Sequence, residues 1–104
     1  MKKVIWSPTA RKSLRKTSAF IAELWNEEVQ TDFLNQLNFR INQIQRNPEL
    51  APTFDDSEVR KLVIHKTVSL YYLNQIDHLR LLLVWDSRQD PTKLYQEITD
   101  YNKG

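Results

Sequence analysis

The chain has 104 residues, enough for one hydrophobic core but not for two. Its 40% hydrophobic and 27% charged residues are typical of a soluble globular protein, and its formal net charge is only +2. It has no cysteine, so we expect no disulfide. No apolar run approaches the roughly 20 residues of a membrane span, and the apolar run at the N-terminus is too short for a signal peptide. We therefore expect a cytoplasmic protein with no membrane contact.

The first predicted elements are a short strand, residues 3–6, and a basic amphipathic helix. Ser7-Pro8 is typical of a helix start, because the serine can cap free backbone N–H groups and proline at the first helical position loses no hydrogen bond. The apolar residues that follow at helical spacing are Ala10, Leu14, Phe20, Ile21 and Leu24 or Trp25. The first 22 residues carry six cations and no acid, so this helix has one apolar face and one basic face.

A second helix is predicted between Asn26, a candidate cap, and Asn47-Pro48, which ends it. Its apolar residues keep the most regular spacing in the chain: Val29, Phe33, Leu37, Ile41 and Ile44. Two amphipathic helices joined by a minimal turn predict an αα-hairpin over residues 8–46. The apolar face of such a hairpin needs a partner, and a sheet would supply it.

Three runs with strand character follow, VRKLVIH, VSLYYLN and LRLLLVW, separated only by short polar breaks. Such breaks favour antiparallel hairpins, since a parallel connection needs a dozen or more residues. The third run is apolar on both faces, so we expect it in the middle of the sheet. The predicted fold is α+β in the order β-α-α-β-β-β, with the helical hairpin on one face of an antiparallel sheet and the first strand beside the meander.

The C-terminal part is predicted as a turn over residues 86–93 and an irregular or helical segment over 94–101. We expect a single domain, 1–104, with a short polar tail from about residue 96. Because the only glycine is Gly104, any turn that needs positive φ is expected at an asparagine or aspartate, among Asn26, Asn47, Asn74 and Asp77.

No strong catalytic or metal-binding motif is present, so we expect neither a metal nor another cofactor. Arg60 and Lys61 would point to opposite faces of a strand, as would Tyr71 and Tyr72, and the pattern leaves open which of each pair faces the open side. A cluster of arginine, lysine and tyrosine suits phosphodiester chemistry through charge stabilisation. The simpler interpretation is a set of sheet charges that discourages aggregation.

Several segments together resemble the RelE/ParE superfamily, the toxic halves of bacterial type II toxin–antitoxin pairs. They are VIWSPTARKSL, NPEL, VRKLVI, SLYYL and LRLLLVWDSRQDP, and the resemblance covers about residues 3–95. It implies a cognate antitoxin and a toxin–antitoxin hetero-oligomer. For the target it implies either DNA gyrase, as for ParE-like members, or messenger RNA in the ribosome, as for RelE-like members.

If the chain is a RelE-like, metal-independent nuclease, the resemblance implies catalytic roles for Arg60, Lys61, His65, Arg88 and Tyr95. Ser69 stands where such enzymes carry an arginine early in the next strand. The opening SPTARKSL and the ending WDSRQDP are more similar to ParE-like members, so a growth inhibitor that binds DNA gyrase is slightly favoured. A further alternative is an inactive relic that only binds its antitoxin.

The uneven charge predicts a surface for an anionic partner, although a merely solvated helix face has the same composition. An acidic or amphipathic disordered antitoxin segment would neutralise it. The candidate antitoxin- or target-binding residues are Arg11, Lys12, Arg15, Lys16, Lys66 and Arg80.

Overall fold

A computed structural model describes the backbone of residues 1–103 and the side chains of residues 1–98. The elements are β1 (Lys3–Trp6), α1 (Pro8–Leu24), α2 (Glu27–Arg46), β2 (Arg60–His65), β3 (Val68–Asn74), β4 (His78–Asp86) and α3 (Pro91–Lys103). The predicted α+β order is confirmed, with a helical pair on one face of a four-stranded sheet. Within residues 1–103, no helix is both long enough and apolar enough to cross a membrane.

The sheet has the strand order β1-β4-β3-β2, so the most apolar strand is central, as predicted. The pairs β2–β3 and β3–β4 are antiparallel, which confirms the meander. The expectation of a wholly antiparallel sheet is wrong for β1, which runs parallel to β4 with Lys3 opposite His78. The whole helical hairpin lies between β1 and the meander, and this supplies the long connection that a parallel pairing requires.

The helical hairpin begins and turns at the predicted caps. The Ala10 N–H donates to Ser7 Oγ at 3.0 Å, and the Val29 N–H donates to Asn26 Oδ1 at 2.9 Å. The buried face of α2 is the predicted one, formed by Phe33, Leu37, Ile41 and Ile44. Those side chains pack against the sheet through residues that include Leu62, Ile64, Leu70, Tyr72, Leu79 and Leu81.

The first helix differs from its predicted apolar stripe at its C-terminal end. Ala10 and Ile21 are buried as predicted, but Leu24 and Trp25 are half exposed, and Thr17, which is outside the predicted stripe, is buried. The reason is that α1 runs along the edge of β4 beyond the point where β1 ends. There Ser7 Oγ donates to the Leu82 carbonyl, and Ser13 Oγ accepts from the Val84 N–H at 2.9 Å. These hydroxyls satisfy backbone groups that a neighbouring strand would otherwise bind.

A second core lies on the opposite face of the sheet, under α3 and the loop that carries Phe54. Its buried members are Val59, Tyr71, Leu73, Leu82, Leu83, Trp85 and Ile98. The sequence predicts that Leu62, Ile64, Leu81, Leu83 or their strand neighbours pack under the helical hairpin. Leu62, Ile64 and Leu81 do so, whereas Leu83 lies in this second core and its neighbour Val84 packs under the hairpin. The register of β3 with β4 shifts between Tyr71 and Tyr72, so β4 holds an extra residue there and the face of Leu83 changes.

The C-terminal turn is shorter than predicted, because α3 begins at Pro91. Asp90 Oδ1 accepts from the Thr92 N–H at 2.9 Å, so Asp90-Pro91 repeats the helix-start chemistry of Ser7-Pro8. The α3 residues Leu94 and Ile98 then contact the second core. The helix therefore covers part of the sheet face that the prediction left open.

Leu37 provides a direct test of the hairpin core. Leu37→Ala should lower the free energy of unfolding by about 2–5 kcal/mol, because it removes a fully buried side chain. Phe39→Ala on the same helix is the matched control, since Phe39 is 59% exposed and should cost under about 0.5 kcal/mol. Urea unfolding of both variants measures the difference. Similar losses for the two would mean that the buried face of α2 is assigned wrongly.

Candidate functional site

The two adjacent cations of β2 lie on opposite faces of the sheet. Arg60 is opposite Tyr72 on the side of the helical hairpin, and its guanidinium Nη1 donates to the Ala51 carbonyl at 2.6 Å. Lys61 is opposite Tyr71 on the side that α3 covers. The prediction that Arg60 and Lys61 point to opposite faces of the strand is therefore confirmed. The two side chains are separated by the thickness of the sheet.

Lys61 and Tyr95 do meet, in a cavity of about 190 Å³ between α3 and the sheet. Ser69 and Tyr71 also line it, and the Phe54 ring stands edge-on to Tyr71 at 5.1 Å. Burial, and secondarily the neighbouring Tyr95 phenol, raises the pKa of Tyr71 to about 12. A phenol with such a pKa stays protonated near neutral pH, so it is poorly matched to proton abstraction there.

Arg88 is committed to a buried carboxylate. Its Nε donates to Asp86 Oδ1 at 2.9 Å, its Nη2 donates to Oδ2, and its backbone N–H also donates to Oδ1. The Asp86 side chain is fully buried, whereas that of Arg88 is 38% exposed. The side-chain hydrogen bond from Arg88 is the main reason that the pKa of Asp86 lies below its usual value. Arg88 therefore has a structural partner before it meets any ligand.

The same arginine lies beside an apolar groove at the end of the helical hairpin. Its guanidinium carbon is 5.3 Å from the centroid of the Phe20 ring, and Lys66 Nζ is 4.9 Å from that of Trp25. The groove, here called the Trp25 groove, has apolar walls formed by Ile21, Trp25, Val29 and Val68. Its basic rim is formed by His65, Lys66 and Arg88.

Lys66 reaches this position from a strained turn between β2 and β3. Its φ is 48°, in the left-handed region that disfavours residues with a Cβ. Among the described residues, the other non-glycine positive φ values belong to Asp55 and Asp56. The expected positions Asn26, Asn47, Asn74 and Asp77 are therefore wrong, because these turns adopt other geometries.

The six predicted partner-binding cations form three separate groups. Arg11, Lys12, Arg15 and Lys16 are exposed along α1, and we call them the α1 basic face. Lys66 lies at the Trp25 groove, and Arg80 is exposed on the opposite face of the sheet, opposite Leu73 in the register. Within the described side chains, ion pairs are limited to Asp86–Arg88 and Asp77–His78, so the α1 basic face forms no ion pair there. Glu97 lines a cavity together with Lys12 and Lys16.

The sequence did not indicate the pairing of aromatic rings with cations. The sequence places Leu24 or Trp25 on the apolar stripe of α1, yet Trp25 is the C-terminal cap of that helix and both are 51% exposed. The position of Trp25 directly before the capping Asn26 was the available signal, because a residue at a helix junction need not follow the helical face. The partners Lys66 and Arg88 are distant in sequence, so no local pattern joins them to it.

Comparison with known proteins gives a consistent result. The family model described as "ParE toxin of type II toxin-antitoxin system, parDE" matches residues 4–91. A solved structure described as a chromosomal ParDE TA system from P. aeruginosa has the same fold, with a TM-score of 0.70 at 15% sequence identity. That match covers 83% of this chain and 96% of the other. No curated protein matches the sequence. Because the family model spans most of the chain, the protein belongs to the ParE toxin family of type II toxin–antitoxin systems.

Proposed function

We propose that this type II toxin arrests bacterial growth by binding DNA gyrase. Membership of the ParE family supports this target, and both candidate targets are cytoplasmic, so we infer that the toxin acts in the cytoplasm. The observation that carries the proposal is the separation of the residues that a RelE-like nuclease would use. Arg60 is bound to backbone carbonyls on one face of the sheet, and Lys61 lies on the other.

The remaining members of that set support the same choice. Arg88 is held by Asp86, and His65 lines the Trp25 groove rather than the cavity that contains Lys61 and Tyr95. Phosphodiester cleavage needs its cations and its proton-transfer groups within reach of one phosphate. A set spread over two faces and two cavities does not meet that requirement.

One observation favours the nuclease as a second candidate. Lys61, Tyr71 and Tyr95 line a single cavity on the face that α3 covers. A lysine beside two phenols could bind a phosphate and move a proton, although the raised pKa of Tyr71 weakens the second role. The cavity therefore defines the variants that separate the two functions.

The antitoxin is the partner that family membership implies, and the α1 basic face is the surface we assign to its first contact. Four exposed cations over two helical turns attract an acidic segment at long range and so raise the association rate. We infer that the two chains form a hetero-oligomer, in which the antitoxin neutralises this face.

Expression in bacteria tests the proposed target. The toxin alone should arrest growth, and co-expression of the small protein encoded beside it should restore growth. In the arrested cells, gyrase–DNA breaks should accumulate while messenger RNA stays intact. The variant Lys61→Met with Tyr95→Phe should remain toxic, because gyrase binding does not require that cavity.

The opposite results identify the alternatives. Cleavage of messenger RNA at codon positions, with normal DNA supercoiling, would establish the nuclease instead. In that case the Lys61→Met, Tyr95→Phe variant should cleave messenger RNA at a rate lower by about a hundredfold or more. A protein that is harmless when expressed but still binds its neighbour would be an inactive relic. A protein that is harmless and binds no neighbour would contradict the toxin function itself.

A further inference from the structure

The Trp25 groove combines the features of a protein-binding anchor site. Trp25 is 51% exposed and Phe20 is 40% exposed, although both are large aromatic side chains on one end of α1. Next to them the groove encloses a cavity of about 110 Å³ with mainly apolar walls. Tryptophan and arginine are the residues most enriched among those that dominate binding energy at interfaces. An exposed aromatic cluster beside an apolar cavity is therefore a candidate docking surface.

The charge around the groove has one sign. His65, Lys66 and Arg88 line it, and no acidic residue is among the lining residues that the structure describes. The cations of Lys66 and Arg88 both lie over aromatic rings. Arg88 is also paired with the buried Asp86, whereas Lys66 forms no ion pair among the described side chains and presents its charge to the groove. The occupant that complements this surface carries negative charge beside an apolar side chain.

Lys66 adds an independent observation. It has a φ of 48° at a turn position where glycine would remove the strain. A lysine in this conformation costs some stability relative to glycine. The turn places its ammonium group 4.9 Å from the centroid of the half-exposed Trp25 ring, at the groove.

We propose that the Trp25 groove binds a segment of the cognate antitoxin in which one apolar side chain is flanked by carboxylates. The apolar side chain enters the cavity between Trp25, Val29 and Val68, and the carboxylates contact Lys66 and Arg88. The cavity of about 110 Å³ has room for an apolar side chain from a partner. A nucleic acid backbone would meet the charge of this surface but would leave the apolar cavity without an occupant.

This inference rests on the proposed toxin–antitoxin function and assigns it a second contact besides the α1 basic face. The two surfaces contribute differently. The exposed cations of α1 govern the association rate, whereas a desolvated aromatic anchor governs the dissociation rate. Variants of the Trp25 groove should therefore change how long the antitoxin stays bound.

The test measures the binding of full-length toxin to the full-length protein encoded beside it. Trp25→Ala should weaken binding by about thirtyfold, mainly through faster dissociation. Lys66→Gly should weaken binding by about tenfold while leaving the thermal stability equal or higher, because glycine relieves the positive φ. The matched controls are Phe39→Ala, an exposed aromatic on α2, and Lys93→Gly, an exposed lysine on α3. Both should bind within about twofold of the wild type.

A second measurement detects binding on the wild-type toxin and uses a variant only to assign the signal. Wild-type toxin labelled with 5-fluorotryptophan should give a ¹⁹F resonance for Trp25 that shifts when the antitoxin binds. Its assignment comes from the resonance that is lost in Trp25→Phe. The same resonance should not shift with a short DNA duplex.

Three results would overturn the inference. They are unchanged affinity of both Trp25→Ala and Lys66→Gly, a Trp25 resonance that the antitoxin does not move, and a shift caused by the DNA duplex instead. Each of these leaves the toxin function intact, because the wild-type toxin still binds its antitoxin. If the wild-type toxin did not bind the protein encoded beside it, the antitoxin partnership itself would be contradicted. This result would be obtained before any variant is made.

Discussion

Replacing Arg88 with methionine should lower the free energy of unfolding by about 1.5–3 kcal/mol, the usual contribution of hydrogen bonds to a charged group. Asp86 is fully buried, and the Arg88 guanidinium donates to both of its carboxylate oxygens. The methionine side chain keeps much of the volume but donates no hydrogen bond, so the carboxylate retains only the backbone N–H of residue 88 and the Thr67 side chain. Urea unfolding at neutral pH measures the loss, and Arg80→Met is the control, because Arg80 is exposed and should cost under about 0.5 kcal/mol.

The pH dependence of stability should become weaker in this variant. In the wild type, Arg88 holds the pKa of Asp86 below its usual value. The pair therefore stabilises the protein fully above the unfolded carboxyl pKa of about 3.9, and this contribution is lost as the pH falls through the lower folded value. In Arg88→Met the carboxylate has lost the partner that lowers its pKa most, so its folded pKa rises relative to the wild type. The variant should therefore lose less stability than the wild type as the pH falls through the acid range.

The double variant Asp86→Asn, Arg88→Met separates structure from function. It removes the unpaired charge, so it should recover most of the lost stability. If the protein inhibits gyrase without cutting RNA, the recovered fold should also recover toxicity. A double variant that folds like the wild type but has lost toxicity would show that Arg88 acts on the target directly. A single variant as stable as the wild type would mean that the Asp86–Arg88 pair contributes little.

Reversing the charge of the α1 basic face should produce the second large effect. The triple variant Arg11→Glu, Lys12→Glu, Arg15→Glu should slow association with the antitoxin by about a hundredfold at low ionic strength. The physical reason is that all three side chains are exposed on a surface where the first 22 residues contain no acid. Glutamate is a good helix former, so α1 should remain intact, as circular dichroism would verify.

The control for this variant reverses three exposed cations elsewhere, Lys3, Arg46 and Lys93. It changes the net charge by the same amount, so it isolates the position of the charges from their sum. Stopped-flow association should show little effect for the control, and the difference between the variants should shrink as salt screens the charges. Equal slowing by both triple variants would mean that net charge, and not the α1 basic face, attracts the antitoxin.

Much of the fold could be predicted from the sequence because its signals are local. Ser7-Pro8 and Asn26 specify helix starts through side chains that reach only three residues along the chain. The spacing of Phe33, Leu37 and Ile41 identifies the buried face of α2 in the same way. The opposite orientation of Arg60 and Lys61 follows from the two-residue period of a strand, whatever the strand pairs with.

Other features depended on pairings between distant parts of the chain. The parallel direction of β1 follows from its pairing with β4, which comes more than seventy residues later. The face of Leu83 was decided by one extra residue in β4, because a single shift in register reverses every later side chain. No local pattern in the sequence encodes either choice.

The candidate sites divide along the same line. The α1 basic face is contiguous in sequence, so its charges could be recognised before the structure was known. The Trp25 groove is assembled from α1, the turn after β2 and the turn after β4, and its aromatic rings meet cations far away in the chain. The sequence by itself determined the elements, their apolar faces and the basic helix, because those depend on neighbours a few residues apart. The tertiary structure alone decided which cations meet aromatics, carboxylates or solvent, because such contacts exist only after the distant strands have paired.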